Sequence, residues 1–460
     1  MIEDTKNAVN KKVVLLVVTM SSFIAPFMVS SVNIGLPAIG KEFTMDAISL
    51  SWVSLSYLLA AAMFLIPSGK IADVYGRKKI FSYGLSIDIV ASLLISISTN
   101  ETELILFRIL QGIGEAMIFG TGVAILTSVY SLGERGKVLG INFAAVYSGL
   151  SLGPVVGGFI TQHFGWRSIF LSYIPLELII IILTFWKLKG EWADAQGERL
   201  DLTGFTIYGL SLMGIMYGFF LLPSIRGVQL IFFGILGVVV FVKWEMKTKN
   251  PVMNLNLFRN NSVFTFSVLA ALINDTATFA GSFFLSLYLQ YVKGFGAQTA
   301  GLVLMSRPIV MAIFSPLAGR LSDKIEPRIV ATIGMAFTLV GLLMFSFLSE
   351  KTTLGYIIGG FILLGFGFAL FSSPNTNAVM SSVEKKFYGV ASATVATTRL
   401  AGQTISMGIA TIILAMYLGK IKITPEYYSL FLRSVNTAFI IFAALCFIGL
   451  FVSLSRGKIR

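Results

Sequence analysis

The sequence lacks the residues from which disulfide frameworks and most metal sites are built. Its 460 residues include one cysteine, Cys446, and one histidine, His163. A single cysteine excludes an intramolecular disulfide and a Cys-rich zinc site, and a single histidine disfavours histidine-based metal chemistry. The chain also lacks a P-loop sequence that would hold the phosphates of ATP. We therefore predict that it uses neither a metal nor a cofactor.

Charged residues are scarce as well. They make up 12% of the chain, while 56% of the residues are hydrophobic; in soluble globular proteins about a quarter of the residues are charged. The net charge of +13 does not indicate nucleic-acid binding, because the charges lie in short tracts between apolar segments. This composition predicts a multi-pass protein embedded in the lipid bilayer of a cell membrane, for which we expect a prokaryotic cytoplasmic membrane.

Long apolar runs account for most of the chain. The first follows the lysines of "MIEDTKNAVNKKVVLLVVTM" and has no small-residue cleavage pattern, so it predicts a retained membrane helix rather than a signal peptide. About 20 apolar residues cross a bilayer. On that criterion we predict fourteen spans, near 13–33, 48–68, 79–98, 104–126, 138–160, 168–186, 203–223, 228–244, 262–288, 298–318, 328–348, 354–374, 389–417 and 431–454.

The distribution of Lys and Arg sets the orientation. If both termini are cytoplasmic, the inside segments hold about three times as many Lys and Arg residues as the outside segments, as the positive-inside rule requires. The longest inside connections, 187–202 and 245–261, are too short to form soluble domains. We therefore predict an all-α integral membrane protein with both termini in the cytoplasm.

Two cytoplasmic connections resemble each other. "GKIADVYGRKK" at 69–79 and "GRLSDKIEPRI" at 319–329 share a glycine, a cation, an aliphatic residue, a small residue and an aspartate. The separation between the two segments along the chain is longer than one six-helix unit. This separation is consistent with a duplicated bundle that has two helices inserted between the copies. The alternative is a coincidental similarity between two basic loops. The predicted units are residues 1–186, 187–261 and 262–460.

Three groups of residues along the chain form motifs. They are Gly69, Asp73, Gly76, Arg77 and Lys78 in the loop motif; Arg108, Gln111, Gly112 and Gly114 in the fourth helix; and Gly149, Gly153, Pro154, Gly157 and Gly158 in the fifth helix. Two further segments are "GWRSIFLSYIP" at 165–175 and "NPVMNLNLFRN" at 250–260. Together these motifs resemble those of the major facilitator superfamily, and in particular its fourteen-helix drug:proton antiporter family, over essentially the whole chain.

The resemblance implies roles for two of these motifs. The loop motif is expected to latch the outward-facing state, and the gating residues would be Gly69, Asp73, Gly76, Arg77, Gly319 and Asp323. Its alternative interpretation is an ordinary basic loop. The fifth-helix motif is associated with export in the family. Its glycines at four-residue spacing also predict close helix contact, and Pro154 can bend the helix.

One stretch of the fifth helix matches a hydrolase pattern. "GLSLG" has the form of the G-x-S-x-G nucleophile elbow, which requires a strand-to-helix turn. Ser151 lies within a predicted helix, and His163 at the helix end is a poor candidate base. We therefore predict no enzyme activity.

Arg108 and Glu115 place two opposite charges in one apolar span. Seven residues make about two helical turns, so their side chains share a face but lie too far apart for an easy ion pair. Gln111 lies between them on that face. A charge in the bilayer interior is costly, so this face should look into a wet cavity. Glu115 is therefore a candidate proton carrier, with Arg108 as its charged neighbour.

Three further acids lie in predicted spans. Asp275 is in the middle of the ninth helix, which the resemblance assigns to the cavity wall together with the first, fourth and twelfth helices. Asp88 and Glu177 fall on the third and sixth helices, which are expected to support the wall from behind. We therefore rank Glu115 and Asp275 first for proton coupling, although each could instead be a hydrogen-bonded structural acid.

The first helix departs from the family pattern. Relatives often carry an acid near the place that Met28 occupies in this chain. If that acid couples protons in relatives, the role has moved to another residue here or has been lost. Arg307 and Arg399, in the tenth and thirteenth helices, leave an anionic substrate conceivable. The predicted substrate-cavity residues are Phe27, Met28, Asn33, Gln111, Glu115 and Asp275.

The prediction that combines these features is a monomeric proton-coupled antiporter. It would export amphipathic, in particular cationic, small molecules by alternating access, with protons as the counter-substrate. Export of one dedicated compound, such as an antibiotic, siderophore or lipid, is the alternative within transport. A membrane enzyme or a sensor is disfavoured, because the chain has neither a catalytic constellation nor a signalling domain.

Overall fold

The structure is a computed structural model in which every described element is helical. Its first six long helices are numbered here in chain order, and α6 consists of two segments. The described residues are 10–130, 132–188, 190–193, 196–198, 200–221, 224–248, 258, 261–383, 388–419 and 421–457. The helices are α1 (Lys11–Glu42), α2 (Ala47–Tyr75), α3 (Arg77–Ser96), α4 (Glu101–Val129), α5 (Leu132–Phe164) and α6 (Arg167–Ser172 and Ile174–Lys187).

Eight more long helices follow, of which α10 also has two segments. They are α7 (Leu202–Phe220), α8 (Ile225–Glu245), α9 (Ser262–Leu287), α10 (Ala297–Leu304 and Ser306–Lys324), α11 (Pro327–Phe345), α12 (Leu354–Ser381), α13 (Tyr388–Tyr417) and α14 (Tyr428–Leu454). Several begin at a residue whose side chain caps the helix. Asp46, for example, accepts a 2.7 Å bond from the Ser49 N–H at the start of α2.

The membrane spans agree with the apolar runs. Among the described residues, thirteen helices are long and apolar enough to cross a bilayer. The apolar part of α7, Leu202–Ile215, is shorter than these thirteen helices. The prediction of an all-α membrane protein is confirmed. The fourteenth crossing stays a prediction, and so does the location of both termini in the cytoplasm.

Proline explains the breaks in α6 and α10. Pro175 and Pro308 each lie within three residues of a break, at Tyr173 and Met305 respectively. Proline has no N–H and clashes with the carbonyl four residues earlier, so the helix cannot continue regularly through that turn. The end of α9 has no such break. Instead, Tyr288–Val292 continues it as a π-helical turn, a conformation that is frequent at functional sites.

The helices form two bundles with the same internal packing. In the N bundle (α1–α6), α1 packs on α5, and α4 packs on both α2 and α3. In the C bundle (α9–α14), α9 packs on α13, and α12 packs on both α10 and α11. Each helix of the C bundle thus takes the place of the helix eight positions earlier, as the internal repeat indicates. The helices α7 and α8 pack on each other, and α7 contacts α2 and α13 at the seam between the bundles.

The two ends of the molecule differ in charge. We call the end that holds the start of α1, the α2–α3 and α10–α11 connections and the end of α14 the basic end. It carries Lys11, Lys70, Arg77, Lys324 and Arg328. The opposite end, which we call the far end, holds the α1–α2 and α9–α10 connections.

Candidate functional site

A cavity of about 310 Å³ lies between the two bundles. Its wall is mostly apolar and comes from α1 to α5 on one side and from α9, α10, α12 and α13 on the other. A second chamber of about 150 Å³ adjoins it and shares Asp275, Phe279 and Met311 with it. We call these the main chamber and the side chamber. An apolar space with a few polar groups suits an amphipathic small molecule.

Glu115 is the acid that the N bundle presents to the main chamber. It lies in the middle of α4 and is 6% exposed. Its Oε1 atom has no hydrogen-bond partner among the described residues. A carboxylate without donors in an apolar wall is costly to keep charged, so this group is suited to bind a proton or a cationic ligand.

Asp275 faces the cavity from the C bundle and lines both chambers. Arg307 and Arg399 are close enough to interact electrostatically with it, but no described salt bridge joins either one to Asp275. Instead, an Nη atom of Arg307 donates to the Thr278 carbonyl at 3.2 Å, and Arg399 donates to the Ser372 hydroxyl at 2.9 Å. The C-bundle wall therefore carries both charge signs.

Arg108 does not reach the cavity wall. It is 1% exposed, and its Nε atom donates to the Val53 carbonyl at 2.9 Å. Its guanidinium also bonds Gln111 and lies 4.4 Å from the centre of the Tyr57 ring. Arg108 shares a helix face with Glu115, as predicted, but it lies nearer the far end, where α2 touches the C bundle and the cavity has closed.

Of the other predicted cavity residues, one lines a chamber and three do not. Asn33 lines the side chamber. Gln111 is fully buried and donates to the Ser92 and Tyr173 hydroxyls. Met28 accepts a bond from Arg108, and Phe27 lies against Gly149 and Gly153 of α5. Gln111, Met28 and Phe27 therefore pack behind the chamber walls and are absent from their described lining, contrary to the predicted placement.

Asp88 and Glu177 form a contact that the sequence did not indicate. Each is 1% exposed, and their carboxyl groups, on α3 and α6, interact directly. No spacing pattern joins residues 89 positions apart, so only the packing of α6 on α3 reveals the pair. Among the described residues, no group of three or more acidic, His or Cys side chains is arranged to hold a metal ion.

The loop motif is held against its own bundle. Arg77 bonds Asp73 at 2.7 Å and the Ser128 hydroxyl of α4 at 2.5 Å. Gly76 supplies the turn with φ +118°, and Glu191 occupies the space that a side chain there would need. Gly69, however, lies inside α2 with open space around it. Gly69 therefore does not form the turn, because the helix continues through that position to Tyr75.

The second copy of the motif is described only in part. Gly319 lies inside α10, where an added Cβ would meet the Ser373 hydroxyl at 3.0 Å. Asp323 belongs to the same helix, but its side chain lies outside the described residues. The predicted gating role of Asp323 therefore stays a prediction.

The glycines of α5 face two different helices. A Cβ on Gly149 would lie 2.3 Å from the Phe23 carbonyl oxygen, and one on Gly157 would lie 2.5 Å from Ser31. These positions, with Gly153, let α5 lie directly on α1. Gly158 points the other way, toward the Ala297 carbonyl at the start of α10. One motif therefore contacts both bundles.

The two bundles touch at the far end. Ser286 of α9 donates to the Asn33 carbonyl at 2.6 Å, and Gln290 donates to the Ile34 carbonyl at 3.0 Å. Between α2 and α13, the hydroxyls of Ser51 and Thr411 are 3.0 Å apart. The main chamber lies on the other side of these contacts and extends toward the basic end, where its wall includes residues from the start of α13.

Comparison with known proteins yields a family and several relatives. The family model of the Major Facilitator Superfamily matches residues 18–407 and 267–458. Riboflavin transporter RibZ of Clostridioides difficile (strain 630) is 28% identical over 96% of this chain and 97% of its own length. Multidrug resistance protein Stp of Mycobacterium tuberculosis (strain CDC 1551 / Oshkosh) is 28% identical over 84% of this chain and 73% of its own.

Solved structures show the same fold. The crystal structure of a peptide transporter, POT, in complex with sulfate superimposes with a TM-score of 0.68 at 14% identity. The match covers 95% of this chain and 94% of that chain. At this identity the comparison concerns the arrangement of the helices alone.

Proposed function

The chain belongs to the Major Facilitator Superfamily, and we propose that it is a proton-coupled antiporter that exports amphipathic, in particular cationic, compounds by alternating access. The family and its transporter relatives make the chain a transporter of the cell membrane rather than an enzyme. The observation that carries the proposal is the position of Glu115, a buried acid with an unpartnered oxygen in the wall of the central cavity.

Two acids on facing walls provide the coupling chemistry. Glu115 belongs to the N bundle and Asp275 to the C bundle, and both line the main chamber. A lipophilic cation that enters this apolar space is attracted to a carboxylate and competes with a proton for it. Competition for the same group is the simplest basis for exchange, because the cavity then carries either the proton or the substrate.

The closed far end supports alternating access. The positive-inside rule favours a cytoplasmic location for the basic end, and with that orientation a main chamber extending toward this end would correspond to an inward-facing state. Substrate would enter from the cytoplasm, and separation of α9 from α1 and of α13 from α2 would open the outer side. The loop motif around Asp73 and Arg77 would then exchange its present contacts for contacts across the bundles.

Two relatives favour different substrate ranges. Multidrug resistance protein Stp supports the export of varied compounds, and the apolar main chamber suits such ligands. The second candidate function is the export of a single dedicated compound. It is favoured by the similarity to a riboflavin transporter along nearly the whole of both chains, and by the arginines Arg307 and Arg399 in the chamber walls.

Purified protein in liposomes with an imposed pH gradient tests this proposal. Adding ethidium, a lipophilic cation, should cause proton release that grows with the ethidium concentration. Empty liposomes with the same gradient are the control. An intact gradient that responds to no lipophilic cation would contradict cation/proton antiport and favour the dedicated substrate.

Replacing Gly301 with Ala should shift the protein toward a state open at the far end. A Cβ there would lie 2.0 Å from the Pro154 carbonyl oxygen across the two bundles. Overpacking of this kind costs about 1–3 kcal/mol, and each 1.4 kcal/mol changes a population about ten-fold. Spin labels on Lys41→Cys and Lys293→Cys, in a Cys446→Ala background, would report a longer distance between α1 and α9.

The matched control is Gly359→Ala in α12, where an added Cβ meets nothing within 4 Å. It should leave the spin-label distance unchanged. If Gly301→Ala also leaves the distance distribution unchanged, the contact between α5 and α10 does not control closure of the far end.

A further inference from the structure

We propose that Asp88 and Glu177 share a proton and form a proton-binding site in the N bundle, behind the cavity, that exchanges its proton with Glu115. The exchange rests on the proposed antiport function, whereas the shared proton does not. The pair lies outside the sequence motifs discussed above, and neither residue is part of the described cavity lining.

The first argument is the contact between two buried acceptors. The carboxyl groups of Asp88 and Glu177 interact directly. One oxygen of Asp88 and both oxygens of Glu177 have no hydrogen-bond partner among the described residues. Ionised carboxylates are acceptors only, so a bond between these two groups needs a proton on one of them. A shared proton would supply the missing donor.

The second argument is that two neighbouring donors, Arg108 and Gln111, already donate to other acceptors. The described polar and charged groups around the pair are Tyr57 on α2, Arg108, Gln111 and Glu115 on α4, Ser92 on α3 and Tyr173 on α6. Arg108 donates to Val53, Met28 and Gln111. Gln111 in turn donates to the hydroxyls of Ser92 and Tyr173 and also interacts with Asp88, but neither Arg108 nor Gln111 bonds the three unpartnered oxygens of the pair.

The third argument is charge balance. Two carboxylates in contact and out of water disfavour full ionisation of both. With one shared proton the pair has a net charge of −1, and Arg108, which interacts with Asp88, has +1. Arginine keeps its charge in proteins. While the pair holds its proton, its charge and that of Arg108 cancel in the interior of the N bundle.

The fourth argument is the link to the cavity. Glu115 lines the main chamber and interacts electrostatically with both Asp88 and Glu177. When a cation takes the place of the Glu115 proton, the Glu115 carboxylate accepts the shared proton and releases it into the cavity, so the pair changes from −1 to −2 beside the bound positive charge and one further proton is released. When the cation leaves, a proton returns from the cavity through Glu115 to the pair, and the charge of the pair returns to −1. No other bond changes, so protons and charge balance.

Infrared difference spectroscopy of the purified protein tests the shared proton. In a Glu115→Gln/Asp275→Asn parent near neutral pH, we expect a carboxylic-acid C=O band that shifts in D₂O. Both Glu177→Gln and Asp88→Asn should remove this band, because neither acid alone retains the shared proton. The control is Glu426→Gln, an exposed acid at the far end, which should preserve it. A parent spectrum without the band would overturn the proposal even if the variants fold poorly.

Proton counting tests the exchange with Glu115. In chains that retain Glu115, Glu177→Gln should lower the number of protons released on ethidium binding by about one per protein, since a coupled pair titrates as a unit. An unchanged count would overturn the exchange. If wild-type protein releases no protons at all, the antiport function fails, while the infrared band still decides whether the pair holds a proton.

Discussion

Replacing Glu115 with Gln is expected to abolish the proton release that ethidium causes in wild-type liposomes. The carboxylate is the only charge that the N bundle presents to the main chamber in its described wall. A unit charge pair about 4 Å apart is worth about 4 kcal/mol at an effective dielectric constant near 20. Loss of even a third of this interaction lowers the affinity for a lipophilic cation about ten-fold.

The same experiment separates Glu115 from Asp275. Asp275→Asn should reduce ethidium-driven proton release less than Glu115→Gln, because Arg307 and Arg399 already offset the charge of Asp275. Glu426→Gln, an exposed acid outside the cavity, is the matched control and should behave as wild type. Proton release that persists at the wild-type level in Glu115→Gln would remove this residue from the coupling mechanism.

Replacing Arg108 with Gln is expected to destabilise the protein strongly. The guanidinium bonds the Val53 carbonyl and Gln111 inside the N bundle and offsets the charge of Asp88. Removing one partner of a buried charged group costs about 3–5 kcal/mol, because the other partners stay buried and unpaired. Thermal unfolding of the purified protein in detergent should therefore begin at a clearly lower temperature than in wild type.

Arg433→Gln is the control for this measurement, since Arg433 is exposed on α14. It should change stability by no more than about 0.5 kcal/mol. If Arg108→Gln unfolds at the wild-type temperature but loses transport, the arginine acts in coupling rather than in holding the bundle together. Equal behaviour of the two arginine variants would contradict the structural role derived from its contacts.

Much of the fold follows from local features of the sequence. Apolar runs of bilayer length predict the membrane helices, and the similar segments at 69–79 and 319–329 indicate the repeated bundle. Proline at positions 175 and 308 accounts for the breaks in α6 and α10. Each of these features depends on a short stretch of the chain, so the amino-acid sequence alone is sufficient to recognise it.

The site was only partly predictable. Helical periodicity places Arg108, Gln111 and Glu115 on one face of α4, and that inference holds. Periodicity gives the direction in which a side chain points from the helix axis. It does not give what that side chain meets at each position along the helix. At the level of Glu115 the opposite space is the cavity, whereas Arg108, about two turns nearer the far end, meets α2 and the ring of Tyr57.

The sequence by itself determined the class of the protein, its membrane helices, its internal repeat and which acids lie within those helices. Only the tertiary structure decided which acids meet: Glu115 and Asp275 at a shared cavity, and Asp88 and Glu177 in contact behind it. The physical reason is that hydropathy and proline act along the chain, while the surroundings of a buried charge come from helices far apart in sequence. Burial among those neighbours then sets whether an acid supports the fold or carries a proton.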